Sequence, residues 1–273
     1  MSAPTRLTDR TALKAHRRRA ARDPALFLHE AARDEMQDRL AFIKKSFTKP
    51  AIVTGFPDFW SGVIPDAIVT GDSETLDLAP AAHDLVIHAM ALHWADDPVG
   101  QLIQARRALV PDGFFMAAFF GGTTLHELRS SLADAEVALT GGLSPRIAPM
   151  GEIRDLGALL QRAGFALPVA DSVPLTVSYP SPRHLMHDLR AMGETNALAA
   201  RHRAPAARAL FDRASETYVS TFGDASGRAP ATFELIFLAG WSPHADQPQP
   251  LRPGSARARL SDALGTREHP VKD

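Results

Sequence analysis

The chain has 273 residues, a hydrophobic share of 45% and a formal net charge of −1. That length suits one large domain with an appendage. The near-neutral balance argues against a general nucleic-acid binder. There is no cysteine, which excludes disulfides and thiolate metal sites and fits a cytoplasmic protein. No apolar run approaches the roughly 20 residues of a membrane span, and no secretory h-region opens the chain.

In chain order, Thr8 or Asp9 can cap a first helix, and Asp23-Pro24 breaks it and starts a second. In the second, Leu28, Ala32, Met36, Leu40, Ile43 and Phe47 recur at three- and four-residue steps and make one apolar stripe. Arg17, Arg18, Arg19 and Arg22 form a basic cluster. It reads as a solvated helix face, or as a docking surface for an acidic partner or a membrane edge.

From Ala51 short apolar runs alternate with helical patterns, the signature of βαβ units and a parallel sheet. Asp84–Trp94 begins as a strand. Asp97–Gly113 is a helix with Pro98 near its start and a Pro-Asp-Gly turn at its end. Phe114–Gly122 is a buried strand stopped by paired glycines, and "TLHELRSSLADAEVAL" is a helix after it. Met150–Phe165 is a helix, "LTVSYPSP" a strand and turn, and "PRHLMHDLRAMGETNAL" a helix. Ala204–Phe222 is another helix and Pro230–Trp241 a strand, followed by a Pro-rich polar tail that reads as extended or disordered. The expected division is a helical extension over 1–48, an α/β domain over 49–241 and a tail over 242–273.

The stretch "HDLVIHAMALHWADDPVGQLIQARRALVPDGFFMAAFFGG" resembles the latter half of a class I S-adenosylmethionine-dependent methyltransferase. "GGTTLHELRSSLADAE", "GGLSPRIAPMGEIRDLGALLQRAGF", "LMHDLRAMGETNAL", "PATFELIFLAGW" and "QPLRPGSA" are more specific. They resemble the branch that holds a respiratory complex I assembly factor implicated in arginine hydroxylation, and the biotin-synthesis malonyl-acyl-carrier-protein methyltransferase. The resemblance covers about Asp84 to Ala256 and the Arg-rich N-terminal helix. It implies an α/β, Rossmann-like class I methyltransferase fold with a mostly parallel central sheet, N-terminal helices and a shortened first βαβ unit. It also implies a bacterial protein with a protein partner, a subunit of a respiratory complex.

The shortening is visible by counting. A complete βαβ unit needs roughly 30 residues, yet "AIVTG" at Ala51–Gly55 recurs at Ala67–Gly71, only 21 residues from start to finish. Pro57, Gly62 and Pro65 interrupt the interval. The first helix and second strand of the family are therefore largely deleted. By the resemblance Asp72 stands at the adenine-contacting aspartate, and Gly55, Asp72, Ser73 and His88 are the cofactor-binding candidates. A second alignment makes Asp72, 17 positions beyond Gly55, the ribose acid, near the roughly 20 of dinucleotide folds; it needs a helix in the gap. Gly55 also reads as a plain turn glycine. S-adenosylmethionine is thus the implied cofactor, in a site curtailed or lost.

His88 and His93 sit at and beyond the end of a central strand, where α/β sheets bind ligands, and are the candidate catalytic bases. His88 also reads as a buried histidine with one hydrogen bond, and Trp94 as packing. His187, Arg190 and Glu194 follow at i,i+3 and i,i+4 steps, so they can share a helix face. With Asn196, Arg129 and Arg146 they form a substrate-binding candidate set, since gathered arginines suit a carboxylate, a phosphate or an acidic segment. Surface ion pairing is the plainer reading. No compact His-x-Asp/Glu motif points to a metal. The sequence leaves three functions: a protein-binding or protein-modifying methyltransferase fold with a degenerate cofactor site, an active methyltransferase, and a non-catalytic assembly chaperone.

Overall fold

In the computed structural model, which describes residues 6–248 and 265–266, Asp9 caps the first helix by accepting from the Ala12 amide at 3.0 Å. Helix α1 (Arg10–Ala20) buries Leu13, Arg17 and Ala20 on one face. Helix α2 (Phe27–Ala41) follows the Asp23-Pro24 break and buries Leu28, Ala32 and Met36, the first half of the anticipated stripe. Ile43 and Phe47 lie beyond its end and pack half-buried on the same core.

Six strands make one sheet in the order β2-β1-β3-β4-β6-β5. They are β1 (Pro50–Thr54), β2 (Ile68–Gly71), β3 (His83–Ala89), β4 (Leu109–Phe120), β5 (Ala166–Tyr179) and β6 (Ala229–Trp241). β2, β1, β3 and β4 run parallel; β6 runs antiparallel to both β4 and β5. Central strands must be apolar on both faces, and these are. Phe114, Met116, Ala118 and Phe120 join the core under α2, α5 (His126–Thr140), α7 (Pro182–Ala191) and α8 (Arg208–Phe222). Their alternates Phe115, Ala117 and Phe119 meet α4 (Pro98–Ala108) and α6 (Ile153–Arg162) on the other face. The period of two thus yields three layers, helices–sheet–helices.

The two "AIVTG" runs become neighbours, with Ala51 beside Ile68 and Thr54 beside Gly71. Between them stands only α3 (Pro57–Trp60), four residues long. This short connection is packing material. Trp60 is fully buried and donates from Nε1 to His29 Nδ1 at 3.0 Å. Phe56 meets the same imidazole edge-on at 4.7 Å. Burial holds His29 neutral, with its pKa lowered to about 4.

Several boundaries differ from those read in the sequence. The Pro-Asp-Gly after α4 is no free turn: β4 begins at Leu109, and backbone bonds tie Asp112 and Gly113 to Ser242. β5 is 14 residues long rather than a short strand. The described residues to Pro243 form one compact unit, and His244 onward falls outside it. The extended tail expected beyond residue 248 lies outside the described residues, save 265 and 266.

Candidate cofactor cleft and the apolar cavity beside it

The strand order changes direction at β1, which connects to β2 on one side and lies against β3 on the other. In open α/β sheets ligands bind outside the carboxyl ends of strands at such a point. Thr54 is level with Gly71 and Ala89, so Gly55 and Asp72, the first residues past β1 and β2, rise side by side. Together with Ser73 they line a cleft of about 590 Å³, walled also by Phe56 and by Lys14, Arg17 and Arg18 of α1.

Arg17 closes the inner end. Its Nη1 donates to both Asp72 oxygens at 2.8 and 2.9 Å, and both side chains are 8% exposed. Arg10 adds a contact to Asp72 Oδ1 at 3.2 Å. Burial alone would raise the Asp72 pKa; Arg17 and Arg10 outweigh it and hold the carboxyl below its ordinary value. The Arg17 guanidinium also lies against Gly55, where an added Cβ would stand 2.2 Å from Cζ and 2.6 Å from Nε.

His88 is fully buried in β3 and lines neither cavity. Its Nε2 is 2.7 Å from Gln101 Oε1, and Gln101 Nε2 donates to the Ser73 carbonyl at 3.1 Å. Burial lowers its pKa to about 4 despite Gln101. The histidine is therefore neutral and braces the chain after Asp72 through Gln101.

His93 opens a different cavity. This one, of about 290 Å³, lies between α5 and α7 and is walled by Phe120, Leu125, Leu128, Leu189 and Phe233. His93, Arg146, Arg190, Glu194 and Asn196 of the candidate sets all reach it. Glu194 Oε2 accepts from Trp94 Nε1 at 2.7 Å and meets His93 Nε2 at 3.1 Å. Its side chain is 9% exposed. Burial would raise the Glu194 pKa, but His93, Arg17 and Trp94 together hold it below the ordinary value. Trp94, read as packing, is thus also a hydrogen-bond donor to the site. Three buried polar atoms along this cavity have no partner among the described residues: His93 Nδ1, Thr195 Oγ1 and Arg146 Nε.

The remaining candidates separate. Arg129 is exposed, reaches only the Ala148 carbonyl at 3.4 Å and lines neither cavity. Arg146 spends its charge on Glu136 at 2.6 Å, and that hydrogen bond drives the Glu136 pKa down to about 2. Asn196 donates to the Pro145 carbonyl at 2.8 Å. The shared helix face fails as a reading: α7 stops at Ala191, so Glu194 lies beyond it. Gly193, at φ +76°, turns the chain, and His187 stays on the exposed side of α7. Among the described residues no group of three His, Asp or Glu gathers to hold a metal, and no helix is long and apolar enough to cross a membrane.

An adenosyl cofactor needs the glycine's bare backbone and a carboxylate free to accept from its hydroxyls. The cleft is large enough, but Arg17 covers the one and engages the other. As arranged, these residues do not fit S-adenosylmethionine.

Residues 52–117 match the family described as the methyltransferase domain. In that segment and in its sheet order the chain is similar to methyltransferase-fold proteins. More particularly, the chain is a homologue of the mitochondrial arginine-hydroxylase NDUFAF5 and of malonyl-[acyl-carrier protein] O-methyltransferase. It is 38% identical to the former from Danio rerio over 73% of this chain and 62% of that protein. To the latter from Laribacter hongkongensis it is 35% identical over 66% of this chain and 58% of that protein. The chain therefore spans less than two thirds of the length of these relatives. The YcgJ protein of Bacillus subtilis, a solved structure, superposes with a TM-score of 0.48 at 12% identity, over 79% of this chain and all of that one.

Proposed function

We infer that this chain binds an arginine side chain of a protein partner in the apolar cavity at Glu194, on a methyltransferase fold whose adenosyl cleft is curtailed. One observation carries the reading: Glu194 is a buried carboxylate, kept ionised, at the edge of a largely apolar cavity. An arginine side chain has the matching form, three methylenes that favour apolar walls and a planar cation that pairs with a carboxylate. Arg146 does not cancel that attraction because Glu136 already neutralises it. Arg190 at the rim suits an acidic neighbour of that arginine. The name of the homologue, arginine-hydroxylase, supports the same substrate class, and the family resemblance supports a respiratory complex I subunit as the partner. Lys14, Arg18, Arg19 and Arg22 are exposed on and just after α1 and give that partner an oppositely charged surface to approach.

The test is a titration with a short synthetic peptide carrying one arginine, and with its citrulline counterpart, which keeps the shape without the charge. The arginine peptide is expected to bind, the citrulline peptide to bind roughly tenfold or more weaker, and Glu194→Gln to remove that preference. Equal binding of both peptides by the folded wild type would overturn the reading.

A further inference from the structure

Arg17 is an odd occupant of its place. It sits between Leu13 and Ala20 on the buried face of α1, where packing calls for an apolar residue. Its Nε and Nη2 are buried without an acceptor. A buried donor left without a partner is costly, so a purely structural ion pair would not be built this way. The stem lies against Gly193, where an added Cβ would meet Cγ at 3.2 Å. The guanidinium lies over Gly55 and takes both oxygens of Asp72.

We propose that Arg17 is the specificity-determining residue of the cleft, an internal cation seated where an adenosyl group would sit, which excludes that class of ligand. The proposal rests on reading the cleft as a curtailed adenosyl site. Exclusion follows from two contacts together. A ribose hydroxyl donates to a carboxylate, and Asp72 has both oxygens engaged by Arg17 and Arg10. A purine or ribose ring must also lie on the bare glycine, and the Arg17 guanidinium fills that volume. With the guanidinium gone, Gly55 is uncovered and Asp72 keeps the contact from Arg10, whose side chain is 17% exposed.

The experiment titrates S-adenosylhomocysteine calorimetrically into wild type, Arg17→Ala, Arg17→Met and Arg17→Met/Asp72→Asn, with thermal melting of each as the check on folding. Methionine keeps the stem that packs on Gly193, so it serves if alanine does not fold. Arg17→Ala or Arg17→Met is expected to bind roughly tenfold or more tightly than wild type, and the gain is lost when Asp72 becomes asparagine. Folded variants that bind no more tightly than wild type would overturn the proposal. Micromolar binding by wild type would instead overturn the curtailed-site reading, so the two failures are distinct.

Discussion

Asp72→Ala is expected to lower folding stability by about 3–5 kcal/mol, the usual result of removing one partner from a buried ion pair. The loss comes from what stays behind. Arg17 is 8% exposed and its Nη1 would join Nε and Nη2 as a buried donor without an acceptor. Arg10 would lose the same carboxylate. Replacing both partners by apolar residues of similar size, Arg17→Met with Asp72→Leu, is expected to recover most of the loss, because desolvation falls away along with the attraction. Urea denaturation of the three proteins measures this. A single substitution costing no more than a surface change, within about 0.5 kcal/mol, would show that the pair is not buried as described.

Stability is also expected to fall steeply between pH 6.5 and about 4. His88 and His29 are buried and neutral, each with its pKa lowered from 6.5 to about 4, burial being the leading cause in both. Below pH 6.5 the unfolded chain takes up protons that the folded chain refuses. Each histidine therefore contributes stability that is complete above 6.5 and declines as pH drops toward 4, by up to about 3 kcal/mol. Asp72 and Glu194 act in a lower window. Their folded pKa values lie below the unfolded ones, so their contribution persists above the carboxylate range and goes only as pH falls through the folded values. His88→Gln, which retains a side chain able to meet Gln101, should flatten the upper part of the profile. A wild-type stability that does not change from pH 7 to pH 5 would contradict the account.

Much of this architecture is legible in the residues. The alternation of apolar runs and helical patterns, the Asp9 cap, and above all the 21 residues from Ala51 to Gly71 announce a parallel sheet with a truncated first unit. What the count does not reveal is what fills the gap. Phe56 and Trp60 anchor the short connection on His29, a contact across 31 positions for Trp60 that no local pattern encodes. The site divides in the same way. Gly55 and Asp72 come together because adjacent parallel strands end at one level. Arg17 reaches Asp72 across 55 positions, yet a sign of it lies in the helix itself, since an arginine four residues after Leu13 and three before Ala20 falls on the buried face. Spacing alone groups His187 and Glu194 on one helix, which ends sooner, and the glycine at 193, a common stop just past a last turn, is the readable warning. Gln101 gave no such sign, because an exposed and a bracing glutamine look alike in a helical pattern.

Arg17 and Asp72 together occupy the inner end of the cleft at Gly55. Calorimetric titration of the folded wild-type chain with S-adenosylmethionine tests it most directly. No binding in the micromolar range is expected. A micromolar affinity would contradict it, because the cofactor would then hold Gly55 and Asp72 with Arg17 in place.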